Sequence, residues 1–232
     1  GNAASDQFQL DVYGEVMDAQ EYGRSKGIDA NEEAWSLQLQ FADFVEKHWE
    51  EPDDGIWEVR GGRKHFTHSK VMAWVAIDRT IRGIKDHGLS GDADHWQALA
   101  DKIHADVLKH GVDPKRNCFT QYYGSKEMDA SLLVIPQVGF FTAADVRIIN
   151  TVHAVGQDLD KNGLILRYRA DATDDGLTGE EGTFIMCSFW LVECLAMIGE
   201  VQKAQMLFDR LLDIRNDVGL LSEEYDTVHH RM

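Results

Sequence analysis

Helical stretches in this chain alternate between two kinds, and that alternation limits the folds open to it. Residues 94–109 place Trp96, Leu99, Ala100, Ile103, Val107 and Leu108 on one stripe with polar groups elsewhere, the pattern of a surface helix that turns one face inward. Residues 31–49, 144–159 and 200–215 read the same way. Between them fall segments that are apolar on nearly every side: 69–84 (Val71, Met72, Trp74, Val75, Ile77, Ile81), 129–141 (Leu132, Leu133, Val134, Ile135, Val138, Phe140) and 183–198. A helix apolar all round has to be covered all round. The first segment, about 6–24, is intermediate and is placed with this inner set. The order inner, outer, inner, outer, at a repeat of about 55–60 residues, predicts an all-α fold of two concentric helical rings. In such an α/α toroid the chain supplies about two-thirds of the ring, as one continuous domain over 1–232.

The connections show a second regularity. Links from an inner helix to the next outer one are short, whereas links from outer to inner are long: about 50–66, 110–128, 160–182 and 216 to the end. The long links then emerge on one rim, where a rigid scaffold presents its functional residues. Two of them are acidic. One runs Asp53-Asp54-Gly55-Ile56-Trp57-Glu58-Val59-Arg60-Gly61-Gly62 and on into Lys64-His65-Phe66-Thr67-His68-Ser69-Lys70. The other runs Leu220-Leu221-Ser222-Glu223-Glu224-Tyr225-Asp226. A carboxyl directly after a tryptophan offers a flat surface for a sugar face beside a proton donor.

Charge excludes several alternatives. A formal net charge of −17 argues against nucleic acid and against anionic membranes, and it is compatible with a neutral substrate. Cys118, Cys187 and Cys194 have no metal-ligand spacing, and an odd number closes no disulfide framework. They read as small buried hydrophobes in a reducing, cytoplasmic setting. No signal peptide is visible, and the longest apolar run, Phe184 to Ile198, contains Glu193 and is too short to span a bilayer. The chain begins without a methionine and stops abruptly after His229-His230-Arg231, so an excised piece of a longer protein is expected.

Three ordered segments carry a resemblance. They are Gly55 to Gly61 with the following His65 to Lys70; Arg167-Tyr168 followed by Gly179-Glu180-Glu181-Gly182-Thr183-Phe184; and Leu221 to Asp226. With these the chain resembles, over essentially its whole length, the catalytic domain of family-15 glycoside hydrolases, the glucoamylase and bacterial trehalase-like group. The opening Leu10-Asp11-Val12-Tyr13-Gly14-Glu15 resembles the interior of such chains. The resemblance implies an (α/α)6 barrel, here incomplete with about four of six helical hairpins. It implies hydrolysis of α-glucosidic bonds with inversion, Glu58 as general acid and Glu223 as general base. It also places Arg167 on sugar hydroxyls. Where many glucoamylases carry a second acid after the general acid, this chain has Val59, so that branch's substrate contacts do not transfer.

Inverting hydrolysis asks for one carboxylic acid on the leaving oxygen and one carboxylate activating water on the opposite face, roughly 6.5–9.5 Å apart. The donor has to keep its proton near neutrality, and an aromatic neighbour that takes a carboxyl partly out of water favours that. Glu224 is expected to face away from Glu223, although either could serve as the base. Trp57, Arg167, Glu181 and Tyr122 are candidate substrate contacts. The plainer alternatives are a core residue for Trp57, pairing with Asp171, Asp174 or Asp175 for Arg167, a favourable helix N-terminal charge for Glu181 and lid packing for Tyr122. No cofactor and no metal is expected. Asp158-Leu159-Asp160-Lys161-Asn162-Gly163 opens like a calcium loop, but its twelfth position is Arg169, and His65 with His68 lacks a third ligand. The partners expected are a small carbohydrate substrate, meaning malto-oligosaccharide, isomalto-oligosaccharide or trehalose, and the remainder of the parent chain. A non-catalytic helical-repeat module binding carbohydrate or protein on the same rim is the competing reading.

Overall fold

In the computed structural model, which describes residues 3–28, 31–169, 182–229 and 231, the alternating segments become eight α-helices among the described residues. They fall into two units, Gly1–Gly111 and Val112–Met232.

The first unit holds α1 (Asp11–Ser25), α2 (Glu32–His48), α3 (Thr67–His87) and α4 (Ala93–His110). Its centre is α3, which packs against each of the other three. Val71, Met72, Ala73, Val75, Ala76 and Ile77 are fully buried, as a segment apolar on every side requires. Helices α2 and α4 bury single stripes, Trp35, Gln38, Ala42 and Val45 on one, Trp96, Leu99, Ala100, Ile103 and Val107 on the other. Both begin on capping side chains. Asn31 Oδ1 accepts from the Ala34 amide at 2.7 Å, and Asp92 Oδ1 accepts from the His95 amide at 3.1 Å, which satisfies otherwise orphaned helix donors.

Helix α1 departs from the expected inner pattern. It buries Asp11, Gly14, Met17, Glu21 and Arg24 on one stripe and leaves Val12 and Val16 exposed, so within its unit it is covered on one side. Its contact with α3 is backbone against backbone. A Cβ added to Gly14 would lie 2.2 Å from the Met72 carbonyl oxygen, so any side chain there forces the two helices apart. The polar members of the stripe pair with one another and with α2: Arg24 donates to Glu21 at 2.9 Å and to Gln38 at 2.6 Å.

The second unit holds α5 (Val134–Gln137), α6 (Val146–Asp158), α7 (Ile185–Met197) and α8 (Val201–Asp213). The segment expected as a long helix over 129–141 is instead a 3-10 turn, Ala130–Leu133, followed by the short α5. Pro136 removes a backbone donor, and the chain turns back at Gly139 (φ 78°), where the Phe140 amide returns to the Ile135 carbonyl at 3.2 Å. The segment is nonetheless interior: Leu132, Leu133 and Ile135 are buried. Helix α7 buries Ile185, Cys187, Ser188, Leu191, Cys194 and Leu195 while Met186 and Met197 stay exposed, and α8 closes on it through Ala204 and Leu211.

Two-residue antiparallel ladders punctuate the long connections of this unit. They pair β1 (Val112–Asp113) with β2 (Cys118–Phe119), β3 (Asp160–Lys161) with β4 (Leu164–Ile165), and β5 (Thr183–Phe184) with β6 (Glu224–Tyr225). Asn162 and Gly163 join β3 to β4 with φ of 54° and 79°, a tight hairpin turn where the sequence opens like a calcium loop. Among the described residues no helix is long and apolar enough to cross a membrane.

The Gly14 contact gives a stability test. Gly14→Ala is expected to destabilise the protein by about 1–3 kcal/mol through overpacking, measured by denaturant unfolding, whereas Gly23→Ala on the same helix, whose Cβ position meets nothing closer than 3.6 Å, is expected to cost nothing.

Candidate active site

Helix α2 runs out at Trp49, and its last carbonyls meet a buried cation. The Lys70 ammonium, from the first turn of α3, donates to the backbone oxygens of Trp49 and Glu51. From there the chain makes a loop whose ends are tied together: Asp53 and Lys64 exchange both backbone hydrogen bonds, at 3.0 and 2.9 Å. The near end is also tied to the segment that precedes α1. Asp53 Oδ2 accepts from the Leu10 amide at 3.1 Å, and Asp54 Oδ2 accepts from the Phe8 amide at 2.6 Å and from Arg63 Nε at 3.1 Å. Gln9 Nε2 donates to the Gly55 oxygen at 3.3 Å and Gln7 Nε2 to the Glu58 oxygen at 3.2 Å. Gly55 sits at φ 71° with its Cβ position 2.8 Å from the Phe66 ring, so the turn closes only without a side chain.

This frame presents Trp57 half-buried, Glu58 exposed and Val59 buried. Glu58 has φ 54°, a left-handed backbone. The other non-glycine residues there, among those described, are Asn117 and Asn162, a residue type that tolerates the conformation. A glutamate held there is strained, and strain of that kind persists where the surroundings over-determine it.

Burial displaces the titrations beneath the loop. It raises the Asp11 carboxyl to about 7, with Asp53 and Glu15 adding to the rise and the backbone amide at Asp11 opposing it. It also pushes Asp53 up, opposed by the Ser69 hydroxyl, the Leu10 and Gly55 amides and the Lys70 charge. Lys70 itself is pulled down to about 8 by burial, with Asp53, Asp106, Glu51 and Glu50 acting the other way. His68 is enclosed and burial lowers it to about 4, so the imidazole is neutral. Among the described residues no group of three potential ligands gathers to hold a metal ion.

In the second unit, Arg167 and the Glu223 segment share one neighbourhood. The Arg167 guanidinium lies 4.3 Å from the centre of the Phe184 ring and 5.2 Å from that of Tyr168. Phe184 is paired with Glu224 across the β5–β6 ladder, and the next amide, Ile185 N–H, donates to the Glu223 oxygen at 3.0 Å. Glu223 is exposed; the Glu224 carboxylate lies instead over Gly182, whose Cβ position would be 3.0 Å from Glu224 Oε2. Tyr122 is half-buried in a turn closed by the Ser125 amide on its oxygen at 2.9 Å. The adjacent Gln121 side chain donates to Asp129 Oδ2 at 3.1 Å, and Asp129 bridges to Tyr168. Arg167, the Glu223 segment and the Tyr122 turn are thus linked within one unit, while Trp57 and Glu58 belong to the other. Glu181 lies outside the described residues. Phe184, Asp53, Asp11 and Gln9 carry no local sequence pattern that marks them, since what they meet is Arg167, Leu10, the Asp53 charge and Gly55 respectively, none of them at a helical or strand spacing.

Comparison with known proteins adds to this geometry. Residues 1–231 match the family model described as glycosyl hydrolases family 15. A trehalase of Mycobacterium tuberculosis is 46% identical over 226 residues, which is 97% of this chain and 33% of that protein. A trehalase of Thermoplasma volcanium is 40% identical over 227 residues, 97% of this chain and 36% of that protein. This chain therefore spans about a third of the length of the curated relatives it matches. Among solved structures, a wild-type glycosidase superposes with a TM-score of 0.81 at 22% identity, covering 100% of this chain and 60% of that one. A glucoamylase from Saccharomycopsis fibuligera superposes at 0.64 with 10% identity, covering 94% and 62%. At these identities the likeness speaks for the fold, which is the all-α, incomplete (α/α)6-barrel class expected from the helical alternation.

The Asp11 carboxyl carries a testable pH signature. Its folded-state pKa lies above its unfolded value of 3.8, so the folded state holds the extra proton between them and stability falls as pH rises from about 4 to about 7. Asp11→Asn is expected to flatten that decline by roughly 2–4 kcal/mol, read from denaturation midpoints across the range. A decline as steep as the wild type's would show that Asp11 is not its source.

Proposed function

Since the chain belongs to glycosyl hydrolase family 15, we propose that it is part of one catalytic domain that hydrolyses α-glucosidic bonds with inversion, trehalose being the first substrate to test. The observation that carries the reading is the Trp57–Glu58 loop: an exposed carboxyl on a strained backbone, tied from both ends to buried charge and placed beside a half-buried indole. Strain maintained against solvent at an acidic residue fits a group positioned for chemistry better than a solvated surface charge. Relatives named trehalase at 46% and 40% identity, and a similarly folded glycosidase solved in complex with glucose, point to the substrate class. Three free, buried cysteines fit a reducing, cytoplasmic setting.

In this reading Glu58 delivers its proton to the glycosidic oxygen as the bond to the anomeric carbon lengthens. Glu223 takes a proton from water, which attacks the same carbon from the opposite face. Trp57 and Tyr122 supply apolar surface to the sugar rings. Arg167, steadied by the Phe184 ring, donates to sugar hydroxyls, and Glu181 accepts from them. Water enters once per bond, and each carboxyl ends in the protonation state of the other's start, so solvent exchange resets the pair. No cofactor takes part. The rest of the longer protein supplies the remaining hairpins of the barrel.

The test is an anomer-resolved product assay of the full-length protein on trehalose, maltose and isomaltose. Inversion releases one β-glucose and one α-glucose from each trehalose at first appearance. Glu58→Gln and Glu223→Gln are each expected to lower kcat by about 10²–10⁴-fold. Wild-type turnover by Glu58→Gln would remove that residue from the role of acid.

A further inference from the structure

Among the described residues, the carboxyl assigned to proton donation makes no side-chain contact that accounts for its placement; the root of its loop does. Three buried ionisable groups meet there. Lys70 caps the carbonyls of Trp49 and Glu51, where α2 hands over to the loop. Asp53 fixes the Leu10 amide and, through its backbone, Lys64 at the far side of the loop. Asp11 follows Leu10 at the start of α1, is 5% exposed, and has one carboxyl oxygen without a hydrogen-bond partner among the described residues. Each of the three comes from a different element: α3, the loop and α1.

We propose that Asp11, Asp53 and Lys70 act as positioning residues for Glu58, a buried acid–acid–amine set at the root of the loop that fixes where its carboxyl is presented. The proposal rests on the reading of Glu58 as proton donor. Lys70 and the Leu10 amide favour charge on Asp53, which leaves Asp11 as the neutral member at and below neutrality. The other charged and titratable groups facing the set are Glu15 on α1, Glu50 and Glu51 after α2, His65 on the loop and Asp106 on α4. None of them offers Asp11 a cation. When Asp11 loses its proton, two carboxylates face each other in a site already stripped of water, and the contact that yields is the Asp53–Leu10 tie at the base of the loop. Activity should then fall on the alkaline side through loop displacement.

The experiment uses the full-length protein with trehalose as substrate. Asp53→Asn and Lys70→Met are expected to lower kcat at least about tenfold with KM changed less than about threefold, the signature of a misplaced catalytic group. Asp11→Asn is expected to move the alkaline limb of the kcat profile up by about one pH unit or more, because an amide cannot ionise. A limb that superimposes on the wild type's shows that Asp11 does not set it and overturns the proposal. Amide hydrogen exchange of the peptide covering 51–64 gives a readout independent of turnover: Lys70→Met should speed it at least about tenfold while α4 is unchanged. Wild-type exchange in that peptide also overturns the proposal, even if Glu58→Gln proves active and the catalytic reading falls alone.

Discussion

A charge removed from water costs several kcal/mol unless partners replace its hydration, and the first unit places such a charge at the one junction its exposed loop depends on. Lys70 is 1% exposed. Its ammonium meets the carbonyl of Trp49, the C-cap of α2, where partial negative charge collects, and that of Glu51 just beyond it. Asp53 faces the same amine, and it in turn holds the Leu10 amide. Removing any one member leaves another buried and uncompensated. The loop root after α2, the first turn of α3 and the segment before α1 are therefore interdependent, although that segment lies 43 positions from the loop.

That interdependence explains how a glutamate can occupy a left-handed backbone. Such a conformation costs on the order of 1–2 kcal/mol for an L residue with a side chain, so an untethered loop would relax out of it. Here Gln7 and Gln9 hold loop carbonyls on one side, Val59 is buried next to Glu58, and Phe66 closes against Gly55. The neighbours decide the backbone, and the backbone decides where the carboxyl points.

Patterns with a local period were legible in the sequence. The single stripes of α2 and α4, and the all-round burial of α3, follow from which residues recur at helical spacing. Where composition is mostly apolar but a backbone rule intervenes, pattern alone overreaches: 129–141 is mostly apolar, yet Pro136 and the turn at Gly139 limit it to a few residues of helix. The stripe of α1 was not legible, because the residues it buries are Asp11, Gly14, Met17, Glu21 and Arg24, four of which carry no apolar signal. In the loops, Trp57, Glu58 and Arg167 could be singled out by type and order. Their supports could not. The Asp53–Leu10 tie spans 43 positions, and Arg167 and Phe184 share no helical or strand period, so no local pattern announces either pair.

The second unit uses a different device for the same end. There the exposed glutamate is carried by a ladder of two residue pairs, Thr183 with Tyr225 and Phe184 with Glu224. Two rungs are marginal alone in water. This pair persists because Thr183 is buried and its hydroxyl also reaches the Tyr225 oxygen at 3.0 Å, and because α7 starts directly from β5 and is packed in the core. Glu224, in β6, lies over Gly182, while Glu223, in the bend just before β6, is exposed. A larger residue at 182 would push the Glu224 carboxylate off that surface. Two adjacent, chemically identical acids thus meet different surroundings, and the small residue just before β5 is what leaves room for one of them.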